Sequence, residues 1–186
     1  MTDWLPETLP THVDVDGLTF VPLTPLLVEP DYAAVMRDIP MLRAWSGQDW
    51  PTATFPIESN LEDLIRHDRE QTERVALTYS VLVEATVQGC VYVQPLAAAL
   101  RARNLAPDLV EAGTDDVVVR GWLHDRPAAH LIRACMGWLG RAPFEFPRLW
   151  WQTNSLCPEQ LDACNELGLL ESRRIAVGDR IWELRS

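Results

Sequence analysis

The chain has no lysine; all 16 of its basic residues are arginine. A lysine Schiff base or lysine nucleophile is therefore excluded. Positive charge is also outnumbered, 16 basic residues against 27 acidic ones giving a formal charge of -11, which repels a phosphate backbone and leaves no basic stripe for nucleic acid. Cysteine is sparse. Cys90, Cys135, Cys157 and Cys164 include no CxxC pair, and their spacing suggests neither a zinc site nor a secreted disulfide framework. Reduced core thiols are expected, with no metal. No apolar run approaches the length of a membrane span, and the opening "MTDWLPETLPTHVDVDG" carries acids and prolines where a secretory signal needs positive charge. A cytoplasmic protein with neither nucleic acid nor membrane as a partner is the expectation.

What is present suits one domain: 186 residues, 47% of them hydrophobic, can bury a sizeable core. Residues 1–17 read as an extension loosely packed or draped over the surface, and the domain is expected over 18–186. "LTFVPL" reads as a strand, and "DYAAVMRDIPMLRAW" as a helix that Asp31 caps and Pro40 ends or kinks. In "ESNLEDLIRHDREQTERV", Ser59 and Glu62 suggest a capping box, Leu61, Leu64 and Ile65 a buried stripe, and His67 a solvated face. "VALTYSVLVEA" and "GCVYVQPL" form a hairpin joined at "TVQ". After an excursion of uncertain form, "VVVRGWL" is a strand, "AAHLIRACMGWLG" a helix, "FPRLWWQTN" a strand and "CPEQLDACNELGLLE" a helix that Pro158 opens and Gly168 closes. "SRRIAVGDRIWELRS" ends the chain as a hairpin turning at Gly178-Asp179. This order describes a mixed sheet covered by helices.

The junction "VRGWLHDRPAAHLI" attracts attention because a helix start behind a strand end offers unpaired N–H groups and a positive dipole end to an anion. It has no glycine in the turn. Asp125, as a helix cap, would compete with an anion there, whereas Arg126 would offset its charge.

In the order of its elements, and in the segments "GCVYVQPL", "VRGWLHDRPAAHLI" and "WWQTNSLCPEQLDACNELGLLE", the chain resembles the GNAT superfamily of N-acetyltransferases over roughly residues 18–186. The resemblance implies the α/β (α+β) class, with a mixed, mostly antiparallel sheet of about six to seven strands and about four helices. It implies acetyl-CoA in a gap between "VVVRGWL" and "RLWWQT", bound by backbone groups near Trp122, Leu123 and His124, with Asn154 at the end of the second strand. The phosphates would meet Arg126, Ala128, Ala129 and His130; the family's glycine positions here hold Ala129 and Leu131. An amine acceptor attacks the thioester directly. His124 is the first candidate base, with Glu84 and Tyr92 as others, and Cys164 stands where the family often places a tyrosine acid. His124 reads equally as a polar turn residue, and Cys164 as a packed thiol. Trp45 and Trp50 would wall the acceptor site or anchor its loop. The acidic balance favours a cationic acceptor, and "RIWEL" could pair across a homodimer or within the sheet. The competing reading is a non-catalytic module that senses a ligand or binds a protein.

Overall fold

The computed structural model describes residues 4–177 and 180–186, so the expected Gly178-Asp179 turn lies outside the described residues. The elements in chain order are β1 (Val13–Val15), β2 (Leu18–Pro22), α1 (Val28–Arg37), α2 (Ile39–Ser46), α3 (Ile57–Thr72), β3 (Leu77–Val83), β4 (Thr86–Pro95), α4 (Leu96–Arg101), β5 (Asp116–Leu123), α5 (Ala128–Leu139), β6 (Arg148–Asn154), α6 (Pro158–Glu166), β7 (Ser172–Val177) and β8 (Arg180–Arg185). They form one sheet in the order β1-β2-β3-β4-β5-β6-β8-β7. All neighbours are antiparallel except β5 and β6.

The sheet is thus mixed and mostly antiparallel as expected, with eight strands rather than six or seven. The added strand is β1, inside the segment read as an extension, where Val13 pairs with Phe20 and Val15 with Leu18. Trp4 and Tyr79 tie the preceding residues down: the Trp4 indole donates to the Arg74 carbonyl and the Tyr79 hydroxyl to that of Pro10. Six helices are described rather than four. Pro40 opens a helix instead of ending one. The Asp38 side chain accepts from the Met41 N–H, capping α2 and separating it from α1. α4 comes from the segment of uncertain form.

Several local expectations are corrected. Asp31 does not cap α1 but is buried inside it, bonded by the Asn60 amide at 2.9 Å. α3 begins at Ile57 behind Pro56, ahead of the expected Ser59–Glu62 box, and Ile65 is 51% exposed. The β3–β4 turn falls at Glu84-Ala85, both with positive φ, because the register pairs Val83 with Thr86. "RIWEL" lies inside the sheet between β6 and β7, with β7 at the edge, so its backbone is already paired on both sides.

Three apolar clusters cover the faces. One, under α5 and α6, contains Phe20, Tyr79, Val119, Leu131, Trp138 and Trp151. A second, under α1–α3, contains Leu42, Trp45, Leu64 and Trp122, and a third around α4 holds Trp150 and Trp182. α5 is held most firmly. Leu131, Ile132 and Leu139 are 2%, 0% and 0% exposed; burial of each stabilises by about 1.5–3 kcal/mol. The helix can sit this close because of Gly121, where an added Cβ would lie 2.9 Å from the Cys90 carbonyl oxygen and 3.1 Å from Leu131. Packing therefore fixes where the start of α5 meets the end of β5.

Candidate functional site

β5 and β6 pair from Asp116↔Arg148 to Val119↔Trp151, and there their ladder stops. Beyond it each strand is kept extended by its outer neighbour: Leu123 of β5 pairs with Gly89 of β4, and Asn154 of β6 with Trp182 of β8. The two strands therefore part. The Gly121 carbonyl faces the opening and accepts from the Gln160 side-chain amide at 3.0 Å, while the same amide's Oε1 accepts from the Trp151 indole at 3.2 Å. Alternate residues of a strand point their backbone the same way, so the N–H groups of Gly121 and Leu123 also face the gap. Above the Gln160 clamp is a cavity of about 190 Å³ lined by Met41, Trp45, Trp122, Leu123, Arg126 and Gln160. The Trp122 indole N–H is buried with no acceptor. A buried donor without a partner carries a cost that an acceptor in this slot would relieve.

At one end of the slot stands the start of α5. Its N-cap is Pro127, with no capping side chain, so the Ala128 and Ala129 N–H groups have no cap acceptor. Asp125 does not fill that place: it has φ of 57° and its carboxylate turns away to Arg37, 2.5 Å from Nη2. The hydrogen bond from Arg37 holds the Asp125 carboxyl below its ordinary range. Arg126 is exposed at the slot, with a 3.4 Å contact to the Asp125 carbonyl. The Asp125 carboxylate therefore does not occupy the start of α5 as a cap.

On the α1–α3 side of the sheet lies a second cleft of about 290 Å³, lined by Trp45, Trp50, Asp63, His67, Tyr92 and Arg120 among others. Trp45 lines both cavities and forms their common wall. It is set by Asn154, whose Nδ2 donates to the carbonyls of Ala44 at 3.1 Å and Trp45 at 3.0 Å and whose Oδ1 accepts from the Leu156 N–H at 2.8 Å. Tyr92 stacks on the Trp45 ring at 5.6 Å, and burial pushes its phenol well up, so the hydroxyl stays protonated.

The expected site residues are distributed as follows. Trp122, Leu123, Arg126 and Ala128 line the slot, and Ala129 is buried in the first turn of α5. Trp45, Trp50 and Tyr92 line the second cleft. The His124 imidazole is buried against Trp122 and its Nε2 meets the Ala34 carbonyl at 2.9 Å, which turns it toward α1. His130 is occupied by the Asp16 carbonyl at 2.7 Å, Asn154 by the end of α2, and Glu84 is exposed at the hairpin turn. Cys164 lies in the core under α5 and α6, its thiol pushed up to about 11 by burial. Sequence reasoning passed over Arg120, Gln160 and Asp63, and it took His67 for a solvated residue. The His67 side chain is 12% exposed and bonds Glu70 and Thr78, each at 3.1 Å. Its i,i+3 spacing to Glu70 was the one available signal. Among the described residues no group of three or more His, Cys, Asp or Glu could hold a metal ion, and no helix is long and apolar enough to cross a membrane.

No protein family and no curated protein matches the sequence. Solved structures do match its fold. The microcin C7 self-immunity acetyltransferase MccE, in complex with acetyl-CoA and AMP, is 10% identical with a TM-score of 0.65, over 95% of this chain and 94% of that one. The ribosomal-protein-S5-alanine acetyltransferase from Vibrio fischeri is 12% identical at 0.65, over 95% of both chains. The aminoglycoside acetyltransferase AAC(6')-Ib, in complex with coenzyme A, is 13% identical at 0.64, over 91% and 94%. At such identities the likeness establishes a shared fold across nearly the whole chain.

Proposed function

We propose that this chain, which has the fold of the GNAT acetyltransferases, transfers an acyl group from a CoA thioester, acetyl-CoA in the first instance, to an amine. The observation that carries the reading is the end of the β5–β6 ladder at Val119↔Trp151, which leaves a slot of about 190 Å³ with backbone donors on one side. An extended thioester arm needs such a strip of unpaired peptide groups, and these residues fit it. The uncapped start of α5 and the exposed Arg126 suit a pyrophosphate at the slot's end.

When bound, the thioester supplies an activated acyl carbonyl. The protein's part is to hold and polarise it. The Gly121 or Leu123 N–H donates to the carbonyl oxygen as negative charge grows there, in a site that Trp45 and Trp122 keep dry. Gln160 holds the two strands at a fixed separation. The amine approaches from the second cleft past the edge of Trp45. His124 is committed to the Ala34 carbonyl, and both ring nitrogens of His67 are engaged too, Nδ1 with Glu70 and Nε2 with Arg66 Nη2 at 3.2 Å, so His67, which lines the cleft, can take the amine's proton only once its Nε2 leaves Arg66.

The test is direct. Acetyl-CoA should raise the melting temperature by mass action, equivalent to about 2.7 kcal/mol at a hundred times its Kd. Arg126→Ala, which removes a charge-assisted bond to phosphate, should weaken binding about 10-fold. Absence of a shift in the wild-type protein would refute the reading. Binding without thiol release on any amine would leave a ligand sensor in its place.

A further inference from the structure

The second cleft has an electrostatic character opposite to that of the chain as a whole. Arg120, in the middle of β5, places its guanidinium carbon 4.9 Å from the ring centres of both Trp45 and Tyr92. Its Nε is closed off from solvent and has no hydrogen-bond partner, and among the described residues it has no carboxylate partner. Arg103 lines the same cleft, over the Trp182 ring at 4.3 Å, with a single bond to the Ala99 carbonyl. Burial first, and the neighbouring Arg120 charge second, lower its pKa to about 10. Two cations that repel each other and, among the described residues, lack counter-ions cost stability, and such an arrangement persists where a missing anion repairs it. The third guanidinium, Arg66, is already neutralised by Asp63 and Glu70.

The rest of the lining narrows the anion further. Trp45, Trp50 and Tyr92 supply flat apolar walls. Asp63 also lines the cleft, with Oδ1 on Arg66 at 2.9 Å and, among the described residues, no hydrogen bond at its second oxygen. A negative group at Arg120 and Arg103, an apolar or aromatic body laid against the ring walls, and a positive group toward Asp63 and His67 together match a zwitterion. The volume, about 290 Å³, sits at the lower end for small-molecule sites and suits a single amino acid better than a folded partner.

We infer that the acceptor is a small amine bearing a carboxylate beside an apolar or aromatic body, an amino acid in class, with its carboxylate on Arg120 and Arg103. This rests on the acyl-transfer reading for the use made of the amine, and it replaces the cationic acceptor that net charge suggested. A purely cationic amine would bring a third like charge to the two arginines. Planar, forked guanidinium groups recognise a carboxylate through paired N–H donors.

The experiment is calorimetric titration of the intact protein, without any CoA compound, using phenylalanine, phenylalaninamide and phenethylamine as probes. Phenylalanine should bind, and the two amines without a carboxylate should bind about 10-fold more weakly or worse. Arg120→Gln and Arg103→Gln should each bring phenylalanine to the level of its amide. Neither loses an ion pair, so both should fold, and the comparison of probes on the wild-type protein stands without them. Failure of phenylalanine to bind, equal or tighter binding of phenethylamine, binding of inorganic phosphate in place of phenylalanine, or no loss in either variant each overturns the assignment. A surviving acetyl-CoA melting shift alongside such a result removes the acceptor class alone; loss of that shift removes the transferase.

Discussion

Asn154 offers the sharpest test of how the two cavities are held apart. The sequence placed it among donor-binding residues, whereas its side chain is 3% exposed and spends three hydrogen bonds on the end of α2 and the loop after β6. α2 ends at Ser46, so the carbonyls of Ala44 and Trp45 have no further turn to bond them. Asn154→Ala leaves both without a donor, at about 1–3 kcal/mol each, while the Leu156 N–H, on a half-exposed residue, can turn to water. The expected loss of unfolding free energy is about 2–5 kcal/mol. In urea, at a slope of about 2 kcal/mol per molar, that moves the midpoint down by about 1–2.5 M with the slope unchanged. Asn154→Asp keeps the shape but turns a donor into a carboxylate facing two carbonyl oxygens. It should be less stable than the alanine variant at neutral pH and recover part of the loss on acidification. A loss below about 0.5 kcal/mol for Asn154→Ala would refute the reasoning, since that is the range of an indifferent surface change.

Two further outcomes follow from burial. Asp31 titrates at about 6 when folded against 3.8 otherwise, chiefly because burial disfavours its charge. The folded state therefore holds that proton more tightly. The stability it contributes is full below about 3.8 and lost as pH rises through about 6. Asp31→Asn should accordingly stabilise the protein by up to about 3 kcal/mol above pH 7 and by little at pH 4, measured by chemical unfolding at both; an equal gain at both would contradict this. All four cysteines are buried free thiols, and burial pushes Cys157 up to about 12 and Cys164 to about 11. An alkylating reagent at neutral pH should leave the folded protein unlabelled and modify all four in urea; rapid labelling of the folded chain would show that a thiol reaches the slot.

The order of elements was legible because long periodic segments report their own environment. "AAHLIRACMGWLG" carries its buried face in its spacing, and Gly168, with φ of 74°, ends α6 where a C-terminal glycine should. β1 escaped because "VDV" is three residues long, half-buried, and makes sense only beside β2. The roles of Asp31 and Asp125 also depended on distant partners: each looked like a local cap and neither is one, whereas the cap of α2, Asp38, was passed over. At the site, the parting strands and the place of Arg126 on the lining of the slot could be read from the motif order. Arg120 could not. It sits in a valine-rich strand where alternation says only which face it takes, and its meaning comes from Trp45 and Tyr92, remote in sequence and stacked about it. The setting of His124 was hidden for the same reason, since nothing near it in sequence announces the Ala34 carbonyl.

Trp45 lines both cavities and its own carbonyl is tethered to β6, which positions one side chain to feel the filling of either chamber. A ligand that tilts the ring from one side must alter the free energy of filling the opposite side, and thermodynamic linkage makes that influence mutual and equal in size. Initial-rate kinetics would then show each reactant's apparent dissociation constant changing with saturation by its companion, and the fluorescence of a single ring would register both arrivals.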